Sequence, residues 1–267
     1  MDIFGNKEYK IARFFIENSD RNFNYIIWCC ETGQCAVIDP LDAIEVLNVV
    51  RDNNLSIKYV INTHAHPDHI SGNNPVIKVS MLSEILIHPL GLDYVAPRAK
   101  AIEDGDTVHI GKINIKILHT PGHCPEHLSL LLDDYIFVGD TIFLSGCGNT
   151  KFRGNPHDLY SSISTKLSAL PDNTKILCGH EYSENNLKFA LSIDPQNRET
   201  KNKLNEVKSR LSRSEFPLST IGEERLYNPF FRLDNDAIIN NLKSNYELID
   251  DDPQSVFVKL RQLRNKW

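Results

Sequence analysis

Three histidines and one aspartate are concentrated in the six-residue stretch His64-Ala65-His66-Pro67-Asp68-His69. The stretch follows the apolar run Tyr59-Val60-Ile61, which is typical of a buried strand. Side chains two positions apart on an extended chain point to the same side, so the first two histidines can reach one metal ion. The aspartate and the third histidine come where the chain must turn, and they can face a second ion. Because imidazole and carboxylate are ligands of catalytic zinc, this density favours a metal site over ordinary surface histidines.

Length and composition are those of an ordinary soluble globular chain. The 267 residues allow one large domain, or a medium domain with a small one. Hydrophobic residues make up 41% and charged residues 24%, as is usual in that class. The net charge of -6 gives no reason to expect a nucleic-acid partner. No run approaches the roughly 18 apolar residues of a membrane helix, so we expect no membrane partner.

The first residues of the chain predict a cytoplasmic location, because they lack the apolar core of a secretory signal. Six cysteines are present, at positions Cys29, Cys30, Cys35, Cys124, Cys147 and Cys178. Since the cytosol is reducing, we expect them to be thiols rather than disulfides.

The first part of the chain predicts a layered α/β architecture. Two β-rich runs, 23–30 and 35–40, are joined by a glycine-containing turn and predict a hairpin. The apolar spacing predicts a helix over 42–52. Residues 76–120 predict short strands and turns, and residues 156–170 predict a helix.

Three later strands also end in a potential metal ligand. The alternating run Ile113-Asn114-Ile115-Lys116-Ile117 leads to His123, the run Tyr135–Val138 leads to Asp140, and the run Lys175–Cys178 leads to His180. Strand-end loops on a rigid scaffold are frequent positions for catalytic groups. The repetition strengthens the prediction of a metal site.

The composition changes after residue 182. Residues 201–213, 236–246 and 254–266 predict helices, and strand patterns fade. We therefore expect a metal-binding domain over 1–180 and a small helical domain over 181–267.

Together the strand ends carry a pattern that resembles the signature of the metallo-β-lactamase superfamily. That signature is T-H-x-H-x-D-H, followed by a later H, D and H. More narrowly, the chain is similar to the hydroxyacylglutathione hydrolase family, also called glyoxalase II. Three stretches carry the narrower resemblance: 178–190, with Cys-Gly-His-Glu-Tyr and Asn-Asn-Leu-Lys-Phe-Ala; 227–232, Tyr-Asn-Pro-Phe-Phe-Arg; and 260–267, Leu-Arg-Gln-Leu-Arg-Asn-Lys-Trp.

The resemblance implies an αββα metallo-β-lactamase-like sandwich with a small C-terminal helical domain. It makes 1–180 the metal-binding catalytic domain and 181–267 the substrate-binding domain. It also implies two divalent metal ions per chain, with zinc expected and iron or manganese also suited to such ligands. The implied ligands are His64, His66 and His123 for one ion, Asp68, His69 and His180 for the other, and Asp140 as the bridge. Asp68 and Asp140 are thereby the predicted catalytic residues.

The implied reaction is hydrolysis of an S-(2-hydroxyacyl)glutathione such as S-D-lactoylglutathione. Two metal ions about 3.5–4 Å apart can share a water and lower its pKa toward about 7, giving a hydroxide that attacks the thioester. The thiol product, with a pKa of about 8.5 if it behaves like cysteine, can leave without a dedicated acid.

The expected partner is a small-molecule glutathione thioester, which carries two carboxylates. The resemblance assigns its binding to Arg261, to Arg264 where lysine is usual, to Tyr182 and to Lys151. Arginine suits planar carboxylates, although a solvated helix face is the alternative interpretation of the two arginines. We expect a monomer or weak oligomer.

The sequence departs from the family pattern at three places. Ala65 replaces a frequent histidine, and Glu126 replaces a frequent glycine, while His127 matches and is a candidate for orienting a ligand. The loop 149–154, Asn-Thr-Lys-Phe-Arg-Gly, is longer and lacks a second aromatic residue. This departure puts the binding of the substrate in question, rather than the metal chemistry.

Two alternatives remain open at this stage. Ala65 and the stretch 146–152, Gly-Cys-Gly-Asn-Thr-Lys-Phe, resemble persulfide dioxygenases, which are mononuclear-iron enzymes of the same superfamily. A binding module without catalysis on the same fold is the other alternative, and the complete set of ligand types argues against it.

Overall fold

Residues 1–80, 83–95 and 99–267 are described by a computed structural model of the chain. Their contacts divide them into two units. The first unit comprises 1–119, 126–132 and 137–139, and the second comprises 120–125, 133–136 and 140–267. Within the region 76–120, for which short strands and turns were expected, residues 81–82 and 96–98 lie outside the described part.

The first unit is built on a seven-stranded sheet whose strands follow chain order. The strands are β1 (Asp2–Gly5), β2 (Tyr9–Phe15), β3 (Phe23–Cys29), β4 (Gln34–Ile38), β5 (Ser56–Ile61), β6 (Glu84–Ile87) and β7 (Ala99–Ala101). Strands β1 to β4 pair antiparallel, and β4 to β7 pair parallel. The hairpin predicted from the two β-rich runs is confirmed as β3 and β4.

Helices α1 (Ala43–Asp52) and α3 (Asn73–Val79) share an apolar core with this sheet. The one-turn helix α2 (Pro67–Ile70) precedes α3 in the chain. Helix α1 begins where predicted, because the Asp42 carboxylate accepts the first free N–H groups of the helix. Helix α3 contradicts the prediction of short strands and turns at the start of the range 76–120. Its β-branched residues Val76 and Ile77 resemble a strand locally, but they pack into the helical side of the core.

The first unit also contains strands of a second sheet. The strands are β8 (Thr107–Ile110), β9 (Ile113–His119), β10 (Leu128–Leu132) and β11 (Tyr135–Gly139), adjacent in that order, and the last three residues of β11 belong to this unit. The alternation predicted for β9 is confirmed, because Ile113, Ile115 and Ile117 are buried and the residues between them are exposed.

The second unit is mainly helical. Its elements are β12 (Ile142–Phe143), β13 (Gly146–Cys147), α4 (Pro156–Ser161), β14 (Lys175–Cys178), α5 (Ser183–Ile193), α6 (Arg198–Leu211), β15 (Ser219–Thr220), α7 (Ile221–Tyr227), α8 (Asp236–Tyr246) and α9 (Pro253–Arg264). Helix α4 continues as a π-helical turn to Leu167, so the predicted helix over 156–170 is present but irregular. The three predicted C-terminal helices are confirmed as α6, α8 and α9.

None of the described helices is long and apolar enough to cross a membrane.

A buried carboxyl group anchors the loop that follows β12. Glu224 on α7 is fully buried, and its Oε2 accepts the Ser145 N–H over 2.8 Å and the Asn228 side-chain N–H over 2.7 Å. Asn228 also donates to the Gly146 carbonyl over 3.2 Å. Ser145 adopts a left-handed φ of 58°. These bonds offset the strain of that conformation and fix the segment that leads to Cys147.

Burial raises the pKa of Glu224 to about 7 from 4.5, although hydrogen bonds from Ser219 and Asn228 lower it. The folded protein therefore keeps this proton up to about pH 7, whereas the unfolded chain releases it near pH 4.5. The contribution of this group to stability is full below about pH 4.5 and is lost as the pH rises to about 7.

Glu224→Gln should remove this pH dependence, because the amide does not titrate. Relative to the wild type, the free energy of unfolding of the variant should rise by up to about 3 kcal/mol between pH 4.5 and pH 8. Urea unfolding of both proteins at several pH values measures the difference, with Glu206→Gln on α6 as an exposed control. Parallel pH profiles for wild type and Glu224→Gln would contradict this role of Glu224.

Candidate metal centre and substrate pocket

The three clustered histidines and Asp68 follow strand β5, and α2 starts directly after His66. Thr63 donates its hydroxyl proton to Asp39 Oδ2 over 2.6 Å, and Thr63 Oγ1 lies 3.0 Å from His64 Nδ1. Because that hydroxyl proton is already committed, Thr63 accepts from His64, and the hydrogen of this imidazole is on Nδ1. His64 Nε2 then carries the lone pair, and this atom lies 3.0 Å from His66 Nδ1.

Asp39 orients the third histidine in the same way. Its Oδ2 lies 2.9 Å from His69 Nδ1, and its Oδ1 accepts the Thr63 N–H over 2.7 Å. His69 Nε2 is therefore left as a ligand atom, 3.4 Å from Asp68 Oδ2. Asp39 is absent from the residues predicted from the sequence, although it follows the apolar strand β4 as other candidate ligands follow theirs.

Asp39→Asn should weaken metal binding without removing a predicted ligand. The amide has nearly the same size but supplies only one acceptor, so the orientation of His69 becomes less defined. Loss of such an outer partner typically costs about 10–100-fold in metal affinity. Zinc competition with a chromophoric chelator measures the effect, and Asp42→Asn, which keeps the α1 cap, is the matched control. An unchanged affinity in Asp39→Asn would contradict this role.

The second unit contains His123, Asp140 and His180, all of which are buried. Asp140 Oδ2 lies 3.5 Å from His123 Nε2 and 3.3 Å from His180 Nε2. His123 donates from Nδ1 to the Asn149 carbonyl over 2.7 Å, which leaves its Nε2 as a ligand atom. A single carboxylate oxygen is thus placed beside two imidazole nitrogens.

The donor atoms in each unit have the spacing that a metal ion requires. Zinc–ligand bonds of about 2.0–2.2 Å in a tetrahedral arrangement place neighbouring ligand atoms about 3.3 Å apart. The four pairs described above are separated by 3.0–3.5 Å. The residues therefore fit a divalent ion in both chemistry and spacing.

The predicted substrate-binding residues line one cavity of the second unit, with a volume of about 400 Å³. Tyr182 borders it, and its ring stacks on the His180 imidazole at 5.0 Å and 3°. The full lining is Phe143, Cys147, Asn149, Lys151, Phe152, Tyr182, Asn186, Arg261, Arg264, Asn265 and Trp267. The cavity is therefore adjacent to a candidate metal ligand within the same unit.

The two arginines of the cavity have different surroundings. Arg261 is 3% exposed, and its Nη1 donates to the carbonyls of Cys147 and Gly148 over 2.7 and 3.0 Å. Arg264 is less buried, and it donates from Nε and Nη2 to Asn186 Oδ1 over 3.3 and 3.0 Å. Burial, with a contribution from the nearby Arg261 charge, lowers the pKa of Arg264. The solvated helix face considered for both arginines does not describe Arg261.

Lys151 lies in the loop that departs from the family pattern, and its Nζ donates to the Asn265 carbonyl over 3.2 Å. Within the described ranges, neither Lys151 nor the two arginines has a carboxylate partner in an ion pair. Three cations around one cavity therefore create a site that favours an anion.

The structure also places the residues at two departures from the family pattern, and three of the remaining histidines. Ala65 and Glu126 are buried, and the His127 ring stacks on His64 at 4.9 Å. His88 and His119 stack on each other at 4.2 Å. Burial lowers the pKa of His88 to about 4.

Comparison with known proteins first defines the class. The family model "Metallo-beta-lactamase superfamily" matches residues 21–180. The structure of ETHE1 from Myxococcus xanthus superposes with a TM-score of 0.66 at 25% sequence identity, covering 95% of this chain and 97% of that one. The fold and the histidine-rich site are thus those of a metallo-β-lactamase-fold protein.

Closer relatives define the family. The model "Hydroxyacylglutathione hydrolase C-terminus" matches residues 181–267. A hydroxyacylglutathione hydrolase from Nitrosococcus oceani is 40% identical over 96% of this chain and 99% of its own length. A hydroxyacylglutathione hydrolase from Arabidopsis thaliana, described as cytoplasmic, is 34% identical over 92% of this chain and 93% of its own. The chain belongs to the hydroxyacylglutathione hydrolase family, and the resemblance identified from its motifs is confirmed.

Proposed function

We propose that this protein is an enzyme that hydrolyses S-(2-hydroxyacyl)glutathione thioesters to glutathione and a 2-hydroxy acid. The observation that carries the proposal is the cationic cavity of the second unit, which adjoins His180 through the stacked Tyr182 ring. Metal-ligand chemistry and an anion-binding cavity are the two components that such a reaction needs. Family membership supports the same activity.

We propose the ligand assignment that the resemblance implies. His64, His66 and His123 would hold one divalent ion, Asp68, His69 and His180 the other, and Asp140 would bridge them. Support comes from the position of Asp140 Oδ2 near both His123 and His180. We propose zinc for both ions, since imidazole and carboxylate suit it, as they also suit iron and manganese. When bound, the ions would lower the pKa of a shared water and polarise the thioester carbonyl.

The residues around the ligands have a defined task in this proposal. The Nδ1 hydrogen of His64 is bonded to Thr63, that of His69 to Asp39, and that of His123 to the Asn149 carbonyl. Each Nε2 is thereby kept as a ligand atom. This fixed arrangement reduces reorganisation during the reaction.

The cavity would bind the glutathione part of the substrate. Arg264 Nη1 has no hydrogen-bond partner in the described structure, and Lys151 lies on the same cavity. A planar guanidinium can bind a carboxylate with two parallel hydrogen bonds. Arg261 would act differently, because its Nη1 already holds the Cys147 and Gly148 carbonyls, so it would shape the cavity and add positive charge. The departing thiol needs no acid from the protein.

Further expectations remain proposals. We propose a catalytic domain over 1–180 and a substrate-binding domain over 181–267, and the boundary between them falls where the match to one family model, 21–180, ends and that to the other, 181–267, begins. A cytoplasmic location is supported by the description of the Arabidopsis relative. A monomer or weak oligomer, without a nucleic-acid or membrane partner, completes the proposal.

Loss of thioester absorbance tests the proposed activity. The zinc-loaded protein should hydrolyse S-D-lactoylglutathione efficiently. The same lactoyl group on N-acetylcysteamine, which has no carboxylates, should react with a kcat/KM lower by about 100-fold, because each lost charge-assisted hydrogen bond costs roughly 1.5–3 kcal/mol. No turnover of either substrate would overturn the thioesterase, and equal turnover of both would overturn the role of the cationic cavity.

A mononuclear-iron persulfide dioxygenase is the second candidate function. Ala65 and the stretch 146–152 favour it, whereas the family match over 181–267 favours the thioesterase. Oxygen uptake with glutathione persulfide by the iron-loaded protein would support the dioxygenase, and its absence would remove this candidate.

A further inference from the structure

The turn between β2 and β3 supplies a side chain that reaches Asp68. Asn22 is only 1% exposed, and its Nδ2 donates to Asp68 Oδ2 over 2.9 Å. The same Nδ2 lies 3.5 Å from the Asp68 carbonyl. The two residues are 46 positions apart in the sequence, and Asn22 belongs to none of the motifs that identify the family.

The orientation of the Asn22 amide is fixed by a second asparagine. The Asn22 backbone N–H donates to Asn18 Oδ1 over 3.2 Å, and Asn18 Nδ2 donates to Asn22 Oδ1 over 2.8 Å. A backbone N–H can only donate, so the Asn18 oxygen must face it and the Asn18 nitrogen must face Asn22 Oδ1. The Asn22 nitrogen is then the atom that faces Asp68.

The turn that carries this pair is itself anchored. The Ile16 N–H donates to the Asn22 carbonyl over 2.8 Å, and Phe15 pairs with Phe23 at the end of the hairpin. Asn22 is therefore held at the hydrogen-bonded base of the turn, directly before β3. Rigid support of this kind limits the movement of the side chain it orients.

A neutral donor has a specific advantage at this position. An amide N–H fixes the rotation of the Asp68 carboxylate but leaves its negative charge available to a metal ion. A lysine or arginine in the same place would compete with the ion for that charge. The bonded oxygen, Oδ2, is also the one that lies 3.4 Å from His69 Nε2. The amide thus acts on the oxygen that shares a site with the neighbouring imidazole.

We propose that Asn22 is a positioning residue that holds the Asp68 carboxylate for the ion that Asp68 and His69 bind. The inference rests on the proposed function, in which Asp68 is a metal ligand. Asn22 touches neither substrate nor ion and acts through Asp68. Its loss should therefore weaken retention of one of the two ions, rather than substrate binding.

Zinc competition with a chromophoric chelator, together with zinc stoichiometry after dialysis, provides the test on the full chain. Asn22→Leu and Asn22→Ala should weaken the affinity for one zinc ion by about 10–100-fold. Asn18→Ala, which leaves Asn22 in place but frees its amide to rotate, should have a smaller effect of the same kind. In excess zinc, Asn22→Ala should regain most of its kcat with an unchanged KM, which loss of general structure would not produce.

Two reference variants separate the possible results. Asp68→Ala should lose one ion outright, and Asn6→Ala, which removes the N–H acceptor of the β1–β2 turn, should bind two ions like the wild type. If Asp68→Ala loses an ion while the Asn22 and Asn18 variants bind zinc normally, the inference is overturned and the proposed function stands. If Asp68→Ala keeps both ions, Asp68 is not a ligand, and the ligand assignment fails together with the inference.

Discussion

Asp140→Ala is expected to abolish thioester hydrolysis and to remove much of the metal binding. Asp140 Oδ2 lies 3.5 Å from His123 Nε2 and 3.3 Å from His180 Nε2. Without it, the carboxylate oxygen that lies beside both imidazoles is lost. A metal ion supplies several kcal/mol of charge stabilisation in the transition state, so kcat/KM should fall by at least about a thousandfold.

The matched control for this variant is Asp134→Ala. Asp134 lies six residues earlier, is partly exposed, and pairs with Lys175 over 2.8 Å. Its removal should leave zinc stoichiometry and turnover nearly unchanged, since exposed ion pairs contribute little to stability. Near-normal turnover by Asp140→Ala, measured as loss of thioester absorbance, would contradict the assigned role of Asp140.

Arg264→Glu should produce the second large effect, on substrate binding. The change removes a charge-assisted hydrogen bond, which contributes roughly 1.5–3 kcal/mol. It also places a carboxylate against the carboxylate of glutathione, at a cost of about 1–2 kcal/mol more. Together these terms predict a fall in kcat/KM on the order of 100–1000-fold, mainly through KM. Zinc content should not change, because Arg264 contacts Asn186 rather than a predicted ligand.

Two variants on the same helix control for this charge change. Lys259→Glu alters α9 by the same charge, but Lys259 does not line the cationic cavity, so its KM should stay near that of the wild type. Arg264→Lys restores the residue usual in the family and should keep most of the activity. If Arg264→Glu and Lys259→Glu raise KM equally, the effect is one of overall charge, and the assignment of the cavity is wrong.

The elements that the sequence predicted well are those whose signals are local. The spacing of His64, His66 and Asp68 is visible in one short stretch. Asp140 and His180 are just as visible, because each follows an apolar strand. The structure adds the interactions between distant positions. Asp39 reaches Thr63 and His69 across 24 and 30 positions, and no local pattern contains such bonds.

The roles of the two C-terminal arginines illustrate the same limit. The motif at 260–267 places both arginines on one helix, and periodicity does not tell which of them faces backbone carbonyls. The burial of Arg261 against the Cys147 and Gly148 carbonyls depends on a loop more than 110 positions earlier. Helix α3 was missed for a related reason, because the core packing of Val76 outweighs its local preference for a strand.

The most direct test of the two-metal thioesterase is a titration of zinc into the metal-depleted protein, with S-D-lactoylglutathione hydrolysis recorded at each step. We expect turnover to rise until two zinc ions are bound per chain and then to stay constant. Full turnover at one zinc ion per chain, or none at two, would contradict it.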